Sequence, residues 1–228
     1  MNIGGFQKMS LIDYPGHIAA VVFTQGCPFR CPYCHNPELI EAKKGELSES
    51  YVLAEIASGM RVLEGVCITG GEPTMQVDLV DFIQKIKDLG LKVKLDTNGS
   101  NPEMVKKIIA SGLVDYIAMD IKHVWAKYPD VIGTSNETIL KNCKKTFEII
   151  QSSGIDHEFR TTLFPGKHSN ADIVEIASYM NPGEQYALQD VRYQKTLDPN
   201  ISQEEKLLAA DIVGDIEKKY PKVKILIR

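Results

Sequence analysis

A chain of 228 residues, 43% of them hydrophobic and 25% charged, is long enough to bury a substantial core as one domain spanning 1–228. Its net charge of −4 and pI near 5.8 carry no clustered basic footprint for nucleic acid. There is no signal-peptide pattern and no apolar run long enough to span a membrane, so a soluble, cytoplasmic protein with no membrane partner is expected.

Short β-branched runs alternate with segments of helical period. Strands are expected at Ile18–Thr24, Gly65–Thr69, Lys92–Asp96, Tyr116–Asp120, His157–Leu163 and Gln185–Gln189, with a last strand at Lys222–Ile227. Helices are expected near Ser48–Leu63, Asp78–Leu89, Pro102–Ser111, Asn136–Ser153, Ala171–Met180 and Gln203–Tyr220. Asn101-Pro102 reads as an N-cap followed by Pro at the first helical position. Ser202 and Glu205 have capping-box spacing, and Gly90, Gly112 and Gly154 stand where left-handed C-caps belong. Alternating β and α units argue for a parallel sheet with right-handed crossovers. Six such units predict an α/β fold of the incomplete (β/α)6 barrel type with an extra C-terminal strand, its site gathered at the strand C-termini.

The first strand runs into Cys27-Pro28-Phe29-Arg30-Cys31-Pro32-Tyr33-Cys34-His35-Asn36. Thiolates select zinc, copper(I) or iron–sulfur clusters over hard cations. A cubane cluster normally takes four cysteines, and three would leave one iron open to a substrate. Two alternatives compete. A disulfide fits poorly with five cysteines in a reducing compartment. Zinc with His35 as fourth ligand lacks a second spaced pair, and would make the chain a zinc-stabilised binding protein. Cys67 and Cys143 lie in apolar surroundings and read as small buried hydrophobes.

The other motifs fall at later strand ends. Thr69-Gly70-Gly71-Glu72-Pro73 would let a ligand approach bare backbone, with Glu72 placed to meet an ammonium group; the alternative is an ordinary glycine turn. Asp96-Thr97-Asn98-Gly99 alone is a turn. Together with Asp120-Ile121-Lys122 on the next strand it could hold an amino-acid zwitterion or a monovalent cation, or form a structural ion pair. Arg160, inward-facing in a strand, needs a carboxylate or phosphate partner. His168 reads as solvent-exposed. Tyr33 would either pack against an adenine ring or shield a cluster.

The three-cysteine loop, the Gly-Gly-Glu-Pro turn and the incomplete barrel resemble the radical S-adenosylmethionine superfamily. Asp13-Tyr14-Pro15-Gly16, Gln25-Gly26-Cys27, Cys34-His35-Asn36, Leu95-Asp96-Thr97-Asn98-Gly99, Met119-Asp120-Ile121-Lys122 and Arg160 through Pro165-Gly166 are similar to the activating enzymes of glycyl-radical enzymes. The short length and the opening Phe6–Gly16 look most like activating proteins of anaerobic ribonucleoside-triphosphate reductase, with pyruvate formate-lyase activating enzymes as near relatives.

The resemblance implies a [4Fe–4S] cluster on Cys27, Cys31 and Cys34, with S-adenosyl-L-methionine (adenosylmethionine) chelating the fourth iron. It places Gly70, Gly71 and Glu72 at the methionine amino end, Lys122 and Arg160 toward the carboxylate, and Asp96, Thr97 and Asp120 around a monovalent cation. It implies as partners a glycyl-radical enzyme and a flavodoxin- or ferredoxin-type electron donor. It also leaves a radical enzyme acting on a small molecule as an alternative. The pattern departs from its relatives in two places. No extra cysteine set stands between the first two strands, so one cluster is expected, and Gln189-Asp190 stands where pyruvate formate-lyase activating enzymes carry a His.

Overall fold

A computed structural model describes residues 1–201 and 209–228. One eight-stranded sheet organises them, in the spatial order of the sequence: β1 (Ile3–Ser10), β2 (Ala19–Thr24), β3 (Gly65–Gly70), β4 (Lys92–Thr97), β5 (Tyr116–Asp120), β6 (Asp156–Leu163), β7 (Gln185–Asp190) and β8 (Lys224–Ile227). β1 pairs antiparallel with β2, and every later pair is parallel. Among the described residues no pairing joins β8 to β1, so the barrel is open along one seam.

The crossovers carry α1 (Glu49–Gly59), α2 (Leu79–Asp88), α3 (Pro102–Ser111), the single turn α4 (Pro129–Ile132), α5 (Glu137–Gln151) and α6 (Asn170–Ala177). The seventh helix, α7 (Ala209–Lys219), precedes β8. The capping signals act as expected. Asn101 accepts from the Met104 amide at the start of α3, and Gly112 closes that helix in the left-handed region. The expected Ser202–Glu205 capping box lies outside the described residues.

Two elements differ from the sequence reading. β1 was not expected; its Ile-Gly-Gly-Phe-Gln-Lys-Met-Ser sequence lacks a clean two-residue alternation and holds two glycines, as suits an edge strand. The short α4 between β5 and α5 was also unforeseen; with four residues it has no helical period to detect.

Strand alternation separates two interiors. The outward rows, among them Val66, Ile68, Val93, Leu95, Ile117 and Phe159, pack beneath Phe82, Ile86, Val105, Ile108 and Ile150 of the helices in the main core. The inward rows meet a far smaller apolar cluster of Tyr14, Ala19, Tyr116 and Ala118. Above it the barrel is lined with charge. Apolar matter is therefore placed outside the sheet and polar chemistry inside it. Phe82 is fully buried between helix and sheet. Its replacement by Ala is expected to cost about 3–5 kcal/mol in denaturant unfolding; a loss under about 1 kcal/mol would contradict this account of the core.

Candidate active site

The residues that the sequence suggests for a cluster and its ligand line one cavity of about 520 Å³ at the C-terminal ends of the strands; His168, Cys67 and Cys143 do not. Cys27, Cys31, Tyr33 and Cys34 come from the loop after β2, and Gly70, Gly71 and Glu72 from the end of β3. Asp96 and Thr97 come from β4, Asp120 and Lys122 from the end of β5, and Arg160 from β6. Gln189, Asp190, Arg192 and Arg228 complete the wall on the β7–β8 side.

The cysteine loop is ordered by backbone stitches. The Gly26 amide donates to Leu39 O at 2.8 Å, the Cys27 amide to Ile40 O at 2.9 Å, and the Cys34 amide to Cys31 O at 3.0 Å. Arg30 donates from Nη1 to the carbonyls of Cys27 and Phe29, both at 2.9 Å. The Gly-Gly turn is the opposite half of the same seam: Gly71 N donates to Thr24 O at 2.9 Å and Glu72 N to Gly26 O at 2.7 Å. This contact explains the glycines. Gly70 has φ +104°, and a Cβ on Gly71 would run into the Gly26 carbonyl.

Burial pushes the Cys27 thiol up to about 12 and the Cys31 thiol up to about 11, and raises Cys34 as well. Burial thus disfavours the free thiolates, and a coordinated metal is the kind of positive charge that would offset it. The loop therefore fits a thiolate-bound metal group. A single zinc ion with His35 fits less well. His35 Nδ1 faces Lys195 O at 3.2 Å, and among the described residues no three His, Cys, Asp or Glu side chains converge as ligands of one ion.

Glu72 lines the cavity with its carboxylate engaged by protein donors. It is fully buried, and its carboxylate accepts from Thr74 N (3.1 Å), the Thr74 hydroxyl, the Thr97 hydroxyl (2.7 Å) and Asn98 N (2.6 Å). It ties the loop after β3 to the loop after β4. Burial is the largest influence on its carboxyl and raises it above the usual range, against these four bonds.

Beside it runs a chain of buried charges. Lys94 donates to Asp96 Oδ1, and Arg160 donates from Nη1 to Asp96 Oδ2 at 3.0 Å. Arg160 Nε reaches Asp120 Oδ1 at 2.7 Å, and Lys122 Nζ reaches Asp120 Oδ2 at 2.8 Å. Burial opposes ionisation of both aspartates, but the adjoining cations outweigh it and hold both carboxyls below their ordinary value. Three cations face two anions, so the group presents one surplus positive charge. Arg160 thus finds its carboxylates within the protein. Lys94 was missed by the sequence reading, because a Lys inside a strand reads as an outward face.

Tyr33 is buried with its ring edge-on to Phe164 at 5.1 Å and beneath Lys122 Nζ at 5.7 Å, and among the described residues its hydroxyl has no hydrogen-bond partner. It is a spacer between the cysteine loop and Lys122. His168, expected in solvent, is buried instead. Its Nδ1 accepts from Phe164 N at 2.9 Å, which leaves Nε2–H to donate to Lys122 O at 2.8 Å. Burial, followed by its neighbour His123, lowers its pKa to about 4. The imidazole therefore stays neutral and fixes the backbone that carries Lys122. The sequence signal was its place three residues beyond Phe164-Pro165, where the loop must turn back over the mouth.

The radical SAM superfamily profile matches residues 21–180. The chain belongs to the radical SAM superfamily. It is 32% identical over 226 residues to a Methanocaldococcus jannaschii protein provisionally named a glycyl-radical enzyme activating enzyme, covering 96% of this chain and 92% of that one. It is 29% identical over 197 residues to the pyruvate formate-lyase-activating enzyme of Streptococcus mutans, covering 78% and 71%. Together these make it a radical SAM enzyme of the activating type.

Two solved structures share the fold. Streptococcus suis SuiB bound to S-adenosylmethionine superposes with TM-score 0.65 at 14% identity over 90% of this chain; the chain spans about half the length of SuiB, 48%. QueE from Escherichia coli gives TM-score 0.55 at 14% identity, covering 99% and 92%. The expected incomplete barrel is the fold observed, and the family implies a [4Fe–4S] cluster and adenosylmethionine.

Two outcomes check this geometry. Gly71→Ala is expected to cost about 1–3 kcal/mol by forcing apart the β2 and β3 loops; an unchanged thermal midpoint would show that the seam is not tight. For His168, folding lowers the pKa, so the unfolded chain binds the extra proton first. Stability is then lost as pH falls from about 6.5 toward about 4. Urea midpoints of the wild type should fall faster across that window than those of His168→Gln, and parallel curves would refute the assignment.

Proposed function

We propose that this chain is a radical SAM activase that installs a glycyl radical on a partner enzyme. Cys27, Cys31 and Cys34 hold the cluster, and the cavity beside them holds adenosylmethionine. The observation that carries this is the shared cavity. Three buried thiols on one loop and the charge group of Asp96, Asp120, Lys122 and Arg160 face the same space. When bound, the cluster and adenosylmethionine supply a one-electron cleavage whose adenosyl fragment removes a hydrogen atom from a glycine.

The chain's own residues bind, orient and shield. Lys122 and Arg160 supply the positive side that suits the methionyl carboxylate. Gly70 and Gly71 bring the end of β3 within reach of the amino end, and Glu72 keeps that turn in place through Thr97 and Asn98. Tyr33 and Phe164 exclude water between the cysteine loop and Lys122. The loop following β7 joins the same wall: Lys195 Nζ pairs with Glu38 at 2.7 Å, and Asp198 N donates to Pro32 O at 2.9 Å.

The partner we favour is anaerobic ribonucleoside-triphosphate reductase. The opening Phe6–Gly16 segment supports it, as does Gln189-Asp190 at the end of β7 where pyruvate formate-lyase activating enzymes carry a His. A flavodoxin- or ferredoxin-type protein would supply the electron.

Anaerobically reconstituted, dithionite-reduced protein is expected to form 5′-deoxyadenosine from adenosylmethionine, while Cys31→Ala keeps its fold and forms none. Equal product and equal iron content in the variant would overturn the cluster assignment.

A further inference from the structure

The family resemblance places a monovalent cation between Asp96, Thr97 and Asp120, and the residues present do not fit one. Such an ion needs oxygen lone pairs turned to a common point. Each of the four carboxylate oxygens already takes a hydrogen bond from a protein cation, so the negative charge that would attract a metal ion is matched within the protein: Asp96 by Lys94 and Arg160, Asp120 by Arg160 and Lys122. Thr97 is also engaged. Its hydroxyl donates to Glu72 at 2.7 Å and accepts from Gly99 N at 3.1 Å.

The residue that completes this set is Lys94. Its side chain is 1% exposed. It lies two residues before Asp96 on β4 and so on the same inward row, one layer deeper. Apart from Asp96, its ammonium lies near Cys67 Sγ, at 3.8 Å. A buried ammonium is costly unless paired, and among the described residues the carboxylate it pairs with is that of Asp96. Its work lies with Asp96. Without Lys94, Arg160 alone would neutralise the Asp96 side, and one carboxylate oxygen would be left bare beside a second aspartate. Like charges so placed disfavour ionisation. A bare carboxylate oxygen there is what a metal cation would otherwise cover.

We propose that Lys94 is a built-in counter-ion, its ammonium replacing a monovalent metal ion so that adenosylmethionine binds without sodium or potassium. This rests on reading the cavity as the adenosylmethionine site. Lys94 is then a positioning residue, acting through Asp96 on the Arg160–Asp120–Lys122 group.

The test uses the anaerobically reconstituted holoprotein in sodium, potassium and tetramethylammonium chloride at equal ionic strength. Adenosylmethionine affinity is measured by calorimetry, and the thermal midpoint is measured without ligand. The wild type should show affinities within about twofold across the three salts and indistinguishable midpoints. Lys94→Met should lose about tenfold in affinity in tetramethylammonium chloride, with a lower midpoint. Sodium or potassium should restore both in a saturable way, and Lys94→Arg should stay indifferent to the salt.

Wild-type binding that is about tenfold tighter in sodium or potassium, or a wild-type midpoint raised by either ion, would overturn the proposal. A folded Lys94→Met variant that binds normally in every salt would also overturn it. If that variant fails to fold, the wild-type ion exchange decides. If adenosylmethionine binds in no salt, the cavity reading fails separately, and the ligand-free midpoints still decide the role of Lys94.

Discussion

The guanidinium of Arg160, shared between Asp96 on β4 and Asp120 on β5, is the contact around which the mouth of this barrel is built. A barrel interior must be filled, and most are filled with branched apolar side chains. Here apolar filling stops at Ala118 and Tyr116, and the layers above are charges in alternating sign from Lys94 to Lys122. Buried ions hold a structure only when each finds opposite charge and its hydrogen bonds are met. Each cation pays for its neighbour, so the three strands are locked together at the level where ligands would enter. Of these charges, Asp96, Arg160, Asp120 and Lys122 line the cavity, and Lys94 lies beneath them.

A second constraint acts on backbone rather than charge. The start of the cysteine loop is joined to the end of β3 by backbone hydrogen bonds at a contact that requires bare glycine, and the buried carboxylate of Glu72 carries the connection on to the loop after β4. The loop's course is thus set by protein hydrogen bonds. Preorganisation of this kind limits the cost of ordering the loop when it binds a cofactor.

Much of this was legible in the sequence. Alternating strand and helix periods located every parallel strand within two residues, because buried parallel strands and amphipathic helices have distinct patterns. The site residues fell at strand C-termini, and the parallel topology alone brings those ends together. What was not legible depends on partners distant in sequence. Glu72 read as a ligand-facing acid, but Thr97 and Asn98, remote in the chain, claim its carboxylate. His168 read as exposed, yet the loop after β6 folds back onto Lys122 and buries it. Lys94 looked like any strand lysine until the inward row of β4 was known. β1 escaped because an edge strand with two glycines carries little pattern, although Ile3 at its start is fully buried.

The proposed one-electron chemistry would sit at the mouth of the barrel, and the open seam between β1 and β8 adjoins the same cavity through Gln7, Asp13 and Arg228. The most direct measurement is electron paramagnetic resonance of anaerobic ribonucleoside-triphosphate reductase after incubation with the reduced, reconstituted protein and adenosylmethionine. The account predicts a glycyl-radical doublet on the reductase that requires both adenosylmethionine and intact Cys31. Formation of 5′-deoxyadenosine with no protein radical on the reductase would contradict it.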